Sequence, residues 1–280
     1  MNIIVAKGAG FCFGVRRAAD ITIEETEKGE LIQTYGPLIH NPEYITKLSE
    51  YGVTVANTPE EINTKKIITR THGITKELEK ELEKRDLAII DATCPFVRKV
   101  QKLANEYSEK GYEVLLLGED KHPEIISVKS YAPGAHVINT ASDIPKIDNK
   151  KNILFISQTT QSTSKFKKIS EYLCKTFPNV EIINTICGAT ENNQKEVADI
   201  AKTVEMMIII GGKESSNTTR LREVAEQYVP THHILSEREI EPAWFANVGT
   251  VGIAAGASTP DFSIDAVVKK IEEISNETFR

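Results

Sequence analysis

The 280-residue sequence contains no apolar run long enough to span a membrane, and it contains little cysteine. A spanning helix needs about 18 or more apolar residues, whereas the apolar stretch around Ile208 has the length of a buried strand. Four cysteines, none in a C-x-x-C pair, are too few for a disulfide scaffold in a chain of this length. No basic region followed by an apolar core stands at the N-terminus, so we predict a cytoplasmic protein without a signal peptide.

Basic runs and nucleotide-binding motifs are missing as well. The chain has 34 Lys and Arg against 40 Asp and Glu, a net charge of −6, and no Lys/Arg run exceeds two residues. This balance argues against nucleic acid as the main partner. Neither a phosphate-binding P-loop nor a Gly-x-Gly-x-x-Gly dinucleotide motif occurs. Any electrons must therefore come from another protein or a small reductant.

What the chain does have is a regular alternation of short apolar runs and amphipathic helical stretches. The apolar runs are continuous and do not alternate with polar residues, which is typical of sheets covered on both faces. The sequence therefore predicts an α/β protein with mainly parallel sheets. The predicted strands are 2–6, 31–34, 67–70, 87–91, 113–117, 153–157, 181–184, 205–210 and 251–254, and helical patterns include 15–28, 97–110 and 191–204.

Three segments repeat one pattern of a strand, a cysteine and a helix. Their cysteines are Cys12, Cys94 and Cys187. A polar loop follows each cysteine by 28 residues, and a second polar loop follows a later strand. The first loops begin at His40, His122 and Ser215, and the second loops contain His72, Thr159 and Ser258.

The repeat predicts three similar small α/β domains around a pseudo-threefold central cavity. We place the first domain at 12–90, the second at 91–185 and the third at 186–280, with the N-terminal strand 1–11 joining the third. Ligands of open α/β sheets bind outside the carboxyl ends of the strands. The three cysteines and the polar loops follow strands, so we expect them at such ends.

Three converging thiolates suit an iron–sulfur cluster with one open iron, or a zinc ion with one open position. The cluster fits better because its ligands must span a wide group, and buried cysteines are the alternative. Cys174 has no counterpart in the repeat and is expected to be a core residue. Histidines, hydroxyls and amides at strand ends and helix N-termini suit phosphate, whereas Glu124 is either a proton donor or a first-turn helix acid.

The motifs AGFCFGVRRA, THG, DATCPFVRKV, HPE, SQTT, NTICGAT, SSNTTRL and GASTPD together resemble the family of 4-hydroxy-3-methylbut-2-enyl diphosphate reductases, the LytB family. The resemblance extends from Phe11 to Asp261. It implies three α/β domains, an oxygen-sensitive 4Fe–4S cluster with three cysteine ligands, and reductive removal of an allylic hydroxyl. The implied products are isopentenyl and dimethylallyl diphosphate, made in the non-mevalonate isoprenoid pathway.

The resemblance also implies roles for individual residues. Cys12, Cys94 and Cys187 would be the cluster ligands, and Glu124, Thr159 and His122 the catalytic residues. Glu124 would supply protons through a network that includes Thr159. The diphosphate would be held by His40, His72, His122, Ser215, Ser216, Asn217 and Ser258. Two positions depart from the common pattern of the family, Gly188 in place of an aromatic or polar residue and Asn193 in place of Arg.

The resemblance leaves two other functions to be tested. An enzyme like quinolinate synthase also takes one cysteine from each of three domains, but its substrates carry carboxylates. A non-catalytic iron–sulfur sensor that binds such a diphosphate would need no proton donor at Glu124. The expected partners are a small allylic diphosphate and an electron donor such as ferredoxin or flavodoxin, with no membrane or nucleic acid. We expect a monomer.

Overall fold

The computed structural model describes residues 1–278 and divides the chain into two compact units. The first unit comprises Met1–Val15, His40–Thr46 and Gly188–Arg280. The second unit comprises Arg16–Ile39 and Lys47–Cys187. Residues 279 and 280 of the third predicted domain lie outside the described residues.

Within residues 1–278 the chain forms twelve strands and nine α-helices. The strands are β1 (Asn2–Val5), β2 (Ile32–Tyr35), β3 (Val53–Ala56), β4 (Lys66–Thr69), β5 (Ala88–Ile90), β6 (Glu113–Leu117), β7 (His136–Ile138), β8 (Ile153–Ser157), β9 (Val180–Ile182), β10 (Met206–Ile210), β11 (Thr231–Ile234) and β12 (Thr250–Ala255). The helices are α1 (Phe13–Glu27), α2 (Pro42–Glu50), α3 (Lys76–Leu82), α4 (Pro95–Glu109), α5 (Pro123–Ser130), α6 (Thr163–Thr176), α7 (Gly188–Ala201), α8 (Ser216–Ala225) and α9 (Asp261–Thr278). None of these helices has the length and apolar character needed to cross a membrane.

The twelve strands form three four-stranded sheets, and all three sheets have the same strand order. The second unit contains the sheets β3-β2-β4-β5 and β7-β6-β8-β9, and the first unit contains β11-β10-β12-β1. Every neighbouring pair is parallel. The expected α/β architecture with parallel sheets is confirmed.

The sheet of the first unit is completed by the N-terminal strand. β1 pairs with β12 in parallel, from Asn2 beside Thr250 to Val5 beside Ile253. In the second unit, β5 and β9 hold the corresponding edge positions. The strand before each of the three repeat cysteines is therefore an edge strand of a sheet.

Burial on both faces of the central strands explains their uninterrupted apolar sequences. Every residue of β8 and β10 is buried. In the second unit, Leu116 belongs to a core cluster with residues of α4 and α5, whereas its neighbour Leu115 packs with residues of α6. Successive strand residues point to opposite faces, so a strand covered on both sides needs apolar residues at every position.

Three strands, β3, β7 and β11, were not among those expected from the sequence. Each is an edge strand in its sheet. Edge strands are less completely covered, and their sequences VTVA, HVI and THHI are short or interrupted by polar side chains. The search for continuous apolar runs therefore misses them, although it finds the other three edge strands, β1, β5 and β9.

The expectation that Cys174 is a core residue is wrong, because its side chain is exposed. Helix α6 buries Phe166, Ile169 and Leu173, which lie along one face at helical spacing. Cys174 follows Leu173 directly, and one residue of helix rotates a side chain by about 100°. The segment is helical as predicted, but Cys174 lies beside the apolar stripe of the helix and not within it.

Candidate active site

The three repeat cysteines are held by the same kind of backbone hydrogen bond. In each case the cysteine amide donates to a carbonyl two residues past the end of a strand, namely β12, β4 or β8. The bonds join Cys12 to Ala257 at 3.2 Å, Cys94 to Thr71 at 2.9 Å and Cys187 to Thr159 at 3.0 Å. Each cysteine turn is thus attached to the polar loop at the carboxyl end of a neighbouring strand.

In the second unit, contacts connect six of the candidate residues in series. Thr71, which binds the amide of Cys94, directly precedes His72. The rings of His72 and His122 meet edge to face with centroids 5.4 Å apart. The remaining links pass from His122 through Glu124 and Thr159 to Cys187. The unit therefore brings together Cys94, His72, His122, Glu124, Thr159 and Cys187.

Glu124 is a buried carboxylic acid with two donors from one residue. Its side chain is 2% exposed. The amide of Thr159 donates to Oε1 at 2.6 Å, and the Thr159 hydroxyl donates to Oε2 at 2.8 Å. Burial raises the pKa of Glu124 to about 7, although both bonds from Thr159 act to lower it. A carboxyl group with this pKa can hold and release a proton near neutral pH.

The ring of His122 is oriented by the N-terminus of helix α5, the helix that also carries Glu124. His122 is the N-cap of α5, and its Nδ1 accepts a hydrogen bond from the amide of Glu124 at 3.1 Å. Because Nδ1 accepts, the proton of the neutral ring lies on Nε2. Nε2 is therefore a hydrogen-bond donor, as a phosphate-binding histidine requires.

The first unit contains the other six candidates, Cys12, His40, Ser215, Ser216, Asn217 and Ser258. The amide of Cys12 binds the carbonyl of Ala257, which directly precedes Ser258. The Ser258 hydroxyl donates to the carbonyl oxygen of His40 at 3.3 Å. A Cβ at Gly212 would lie 2.5 Å from that same oxygen, so the turn after β10 approaches His40 closely. These contacts join the loops of Cys12, Ser258 and His40.

Asn217 in the first turn of α8 has a buried and unsatisfied amide. Only 5% of Asn217 is exposed, and its Oδ1 and Nδ2 have no hydrogen-bond partner among residues 1–278. Leaving such a group unpaired costs about 1–3 kcal/mol. The preceding Ser215 is the N-cap of the helix and accepts a bond from the amide of Thr218. The terminus therefore offers an amide and backbone N–H groups to an anion.

The cysteines provide a donor set that fits an iron–sulfur cluster. The three cysteines of the repeat are all partly buried. They lie in turns at the carboxyl ends of strands, whereas Cys174 lies on an exposed helix face. Partly buried cysteines in equivalent turns suit the three-point ligation of a cluster by thiolates.

Asp91 organises the turn of Cys94, a role that the sequence did not reveal. Its Oδ1 accepts bonds from the Thr69 hydroxyl and the Thr93 amide, and its Oδ2 pairs with Arg98 at 2.7 Å. Burial acts to raise the pKa of Asp91, but the bonds from Thr93 and Arg98 outweigh it and the pKa is lowered. Arg17 of α1 also donates to the carbonyls of Asp91 and Thr93. The turn before Cys94 is therefore held from several sides.

A second polar contact missed by the sequence supports the loop of His72. The amide of Gln101 donates to the Ser127 hydroxyl at 2.6 Å, and that hydroxyl donates to the carbonyl of Ile74 at 2.8 Å. Gly73 lies against both side chains with a φ of 75°. Gln101 and Ser127 are buried on α4 and α5, so this loop is fixed to the helix that begins beside His122.

Gly73→Ala is expected to destabilise the protein more than a glycine replacement with equal backbone strain. A Cβ at Gly73 would lie 2.5 Å from Nε2 of Gln101 and 2.9 Å from Oγ of Ser127. Gly111 has a φ of 79° and nothing within 4 Å, so Gly111→Ala measures the backbone term alone. We expect a loss of about 1 kcal/mol for Gly111→Ala and a further loss of about 1–3 kcal/mol for Gly73→Ala. Urea unfolding measures both, and equal losses would contradict the close packing.

Comparisons with known proteins identify the family. The family described as LytB protein matches residues 3–272. A 4-hydroxy-3-methylbut-2-enyl diphosphate reductase of Geobacter metallireducens is 43% identical over 278 residues, covering 99% of both chains. The enzyme of the same name from Campylobacter concisus is also 43% identical, covering 98% of this chain and 100% of its own.

Two solved structures share the fold. One, described as the terminal enzyme of the non-mevalonate pathway, is 40% identical with a TM-score of 0.72 and covers 98% of this chain and 100% of its own. The other, an E-1-hydroxy-2-methyl-but-2-enyl-4-diphosphate reductase from Plasmodium falciparum, is 27% identical with a TM-score of 0.91. It covers 96% of this chain and 87% of its own. With these full-length matches and the repeated cysteine turns, the chain belongs to the LytB family.

Proposed function

We propose that this LytB-family chain is a 4-hydroxy-3-methylbut-2-enyl diphosphate reductase. It removes the allylic hydroxyl of its substrate as water with two electrons and two protons. One proton leaves with the hydroxyl, and the other adds to either end of the allyl fragment, which gives isopentenyl or dimethylallyl diphosphate. The observation that carries this proposal is the buried Glu124, whose pKa is raised to about 7 and whose two donors come from Thr159. The carbonyl of that same Thr159 accepts a hydrogen bond from the amide of Cys187, so Thr159 links the acid directly to the turn of a candidate cluster ligand.

Cys12, Cys94 and Cys187 would hold a 4Fe–4S cluster with one open iron. When bound, the cluster would pass two electrons, one at a time, from the external donor to the substrate, and its open iron would act as a Lewis acid for the substrate oxygen. The support is chemical, since three partly buried cysteines occupy equivalent turns. The hydrogen bonds donated by the cysteine amides orient the thiols before the cluster binds, and such orientation favours ligation.

The diphosphate is bound by neutral and dipolar donors and not by the charge of the whole protein. The chain carries a net charge of −6, so local groups must attract the anion. His122 offers its Nε2 proton, and the unsatisfied amide of Asn217 gains a partner when an anion binds. The proposed binding residues are His40, His72, His122, Ser215, Ser216, Asn217 and Ser258.

Glu124 holds the proton that the departing hydroxyl needs to leave as water. Burial keeps a large share of Glu124 protonated at neutral pH, because its pKa is about 7. Thr159 holds both oxygens of the carboxyl group, which fixes the direction in which the proton is given. Anchoring of the diphosphate orients the allylic end of the substrate toward this acid.

The proposal extends to the repeat and to the partner. We propose three domains at 12–90, 91–185 and 186–280, with 1–11 joining the third. The identical strand order of the three sheets and the pairing of β1 with β12 support these boundaries. An external donor such as ferredoxin or flavodoxin supplies the electrons, and the chain acts as a monomer in the cytoplasm.

Thr159→Val is expected to move the alkaline limb of the pH profile upward. In the wild type the Thr159 hydroxyl donates to Oε2 of Glu124, and this bond lowers the pKa of Glu124. Valine removes this hydroxyl, while the hydrogen bond from the backbone amide remains. The pKa of Glu124 then rises above about 7, and an acid that must be protonated stays active to higher pH. Measurement of kcat against pH tests this. Thr160→Val is the matched control, since Thr160 accepts its bond from Gln158, and an unmoved limb in Thr159→Val would contradict the assignment.

The function is tested by anaerobic purification, iron and sulfide analysis, and turnover of the allylic hydroxyl diphosphate with a reduced viologen dye. A brown protein that contains iron and sulfide and consumes the substrate would support the proposal. A brown protein without turnover would favour the sensor or an enzyme of carboxylate substrates. A colourless protein without iron after anaerobic reconstitution would overturn the cluster and the activity together. The apoprotein, assayed in parallel, controls for reduction by the dye alone.

A further inference from the structure

The turn that leads from β1 to Cys12 is held by a neighbouring helix as well as by its own sheet. Its first residue, Ala6, donates its amide to the carbonyl of Ile253, and its last bond joins the amide of Cys12 to Ala257. Between these two points the chain runs through Lys7 and Gly8. Their amide groups are bound by a side chain of α7, a helix of the same unit.

One carboxylate binds both amide groups. The amide of Lys7 donates to Oε1 of Glu196 at 2.7 Å, and the amide of Gly8 donates to Oε2 of Glu196 at 2.9 Å. Two consecutive backbone N–H groups on one carboxylate form charge-assisted bonds, which are stronger than neutral ones. We call these contacts, together with the contact of Asn193 described next, the Glu196 clamp.

Asn193 completes the clamp as a hydrogen-bond donor, whereas Glu196 is an acceptor. Its Nδ2 donates to the carbonyl of Gly8 at 3.1 Å. A Cβ at Gly8 would lie 2.1 Å from Oδ1 of Asn193, so the contact requires glycine at position 8.

The clamp joins the turn of Cys12 to one helix of the same unit. Helix α7 carries Asn193 and Glu196 three residues apart on one face. Val197 of the same helix packs in one core cluster with Ala6. Helix α7 therefore holds the Cys12 turn by polar contacts and by an apolar contact.

The same relation recurs in the second unit. Helix α1 starts directly after Cys12, and its Arg17 donates to the carbonyls of Asp91 and Thr93 at 3.2 and 3.4 Å. These two carbonyls belong to the turn before Cys94. The recurrence with different side chains indicates a function of the turn itself, which must be immobile for its cysteine to be presented.

We propose that Glu196, assisted by Asn193, is a positioning residue that holds the Cys12 turn in the conformation that binds the cluster. The proposal rests on the proposed role of Cys12 as a ligand, but the clamp can be measured without a cluster. Removal of the carboxylate frees two amides and lets the turn open locally while the sheet stays paired. The thiol of Cys12 then becomes more reactive, and iron bound by it is lost more easily.

The test compares Glu196→Ala with the wild type as apoprotein under reducing, anaerobic conditions. N-ethylmaleimide labels the cysteines, and peptide mass spectrometry gives one rate for each. We expect Cys12 in Glu196→Ala to react about fivefold faster or more, because loss of charge-assisted bonds raises the population of the open turn. Cys94, Cys187 and Cys174 should stay within about twofold of the wild type, since the substitution leaves the contacts around them in place. Amide hydrogen exchange should quicken only in peptides covering residues 6–12.

Asp199→Ala is the matched control, because Asp199 lies on the same helix and pairs with Lys202 at the surface. Glu196→Gln keeps one acceptor oxygen and should give an intermediate rate for Cys12. In reconstituted protein, Glu196→Ala should lose iron to a chelator faster than Asp199→Ala. An unchanged Cys12 rate in Glu196→Ala, or equal acceleration of all four cysteines, would overturn the clamp. A protein that shows the specific Cys12 effect but binds no iron would leave the clamp intact and refute the proposed function.

Discussion

Glu124→Gln is expected to lower kcat for reduction of the allylic diphosphate by about 10²–10⁴-fold, the usual contribution of a positioned general acid. Glutamine has the shape of the protonated glutamate but cannot give up a proton as an acid can. The affinity for substrate should stay within about threefold, because the proposed diphosphate ligands are other residues. Steady-state turnover with reduced viologen and calorimetric binding of the substrate measure the two quantities. Iron content, measured on the same samples, shows whether the cluster is retained.

Asp120→Asn provides the control for Glu124→Gln. Asp120 lies in the loop just before α5, and its exposed carboxylate pairs with Lys129 at 3.3 Å, so its neutralisation should leave kcat nearly unchanged. If Glu124→Gln retained full turnover, Glu124 would be a structural acid and the proton would come from elsewhere. If both variants lost activity alike, the loss would not be specific to the acid at Glu124.

The pH dependence of stability gives an independent check on Glu124. Its pKa in the folded protein, about 7, is above the ordinary value of 4.5. The folded state therefore binds this proton more tightly than the unfolded state. The resulting stabilisation is complete below pH 4.5 and is lost as the pH rises through 7. Glu124→Gln should remove this decline, so urea unfolding of the variant should vary less over that range than unfolding of the wild type.

Serine in place of any one of Cys12, Cys94 or Cys187 is expected to reduce iron and sulfide at least about tenfold and to abolish turnover. A serine hydroxyl remains protonated at neutral pH and is a poor ligand for iron in place of a thiolate. The three variants should behave alike, because each cysteine occupies an equivalent turn and its amide donates an equivalent hydrogen bond. Iron and sulfide analysis after anaerobic reconstitution, together with the visible absorption of the protein, measures the effect.

The fourth cysteine serves as the control for this series. Cys174 is exposed on α6, so Cys174→Ser should retain both the cluster and the activity. Loss of iron in Cys174→Ser would show that the cluster uses a different set of ligands. Normal iron content in one of the three other variants would remove that cysteine from the set.

The parts of the fold that could be predicted were those governed by local pattern. Continuous apolar runs located the strands that are buried on both faces, and β6 and β8 were predicted with their observed bounds. The edge strands β3, β7 and β11 escaped, since partial exposure interrupts their apolar character. The prediction of a buried Cys174 was wrong for a related reason. A helical pattern shows that a helix has an apolar face, but it defines less well which side chains belong to that face.

The sequence by itself determined the α/β class, the threefold repetition of strand, cysteine and helix, and the residue types available for chemistry. These follow from periodicity and from spacing, which the linear chain contains. Only the tertiary structure decided that β1 completes a sheet with β12, that Thr159 binds Glu124, and that Glu196 holds the turn before Cys12. These contacts join residues far apart in the chain, and burial at such contacts sets properties such as the pKa of Glu124. No local pattern encodes them, because they depend on which distant groups the folded chain brings within hydrogen-bond distance.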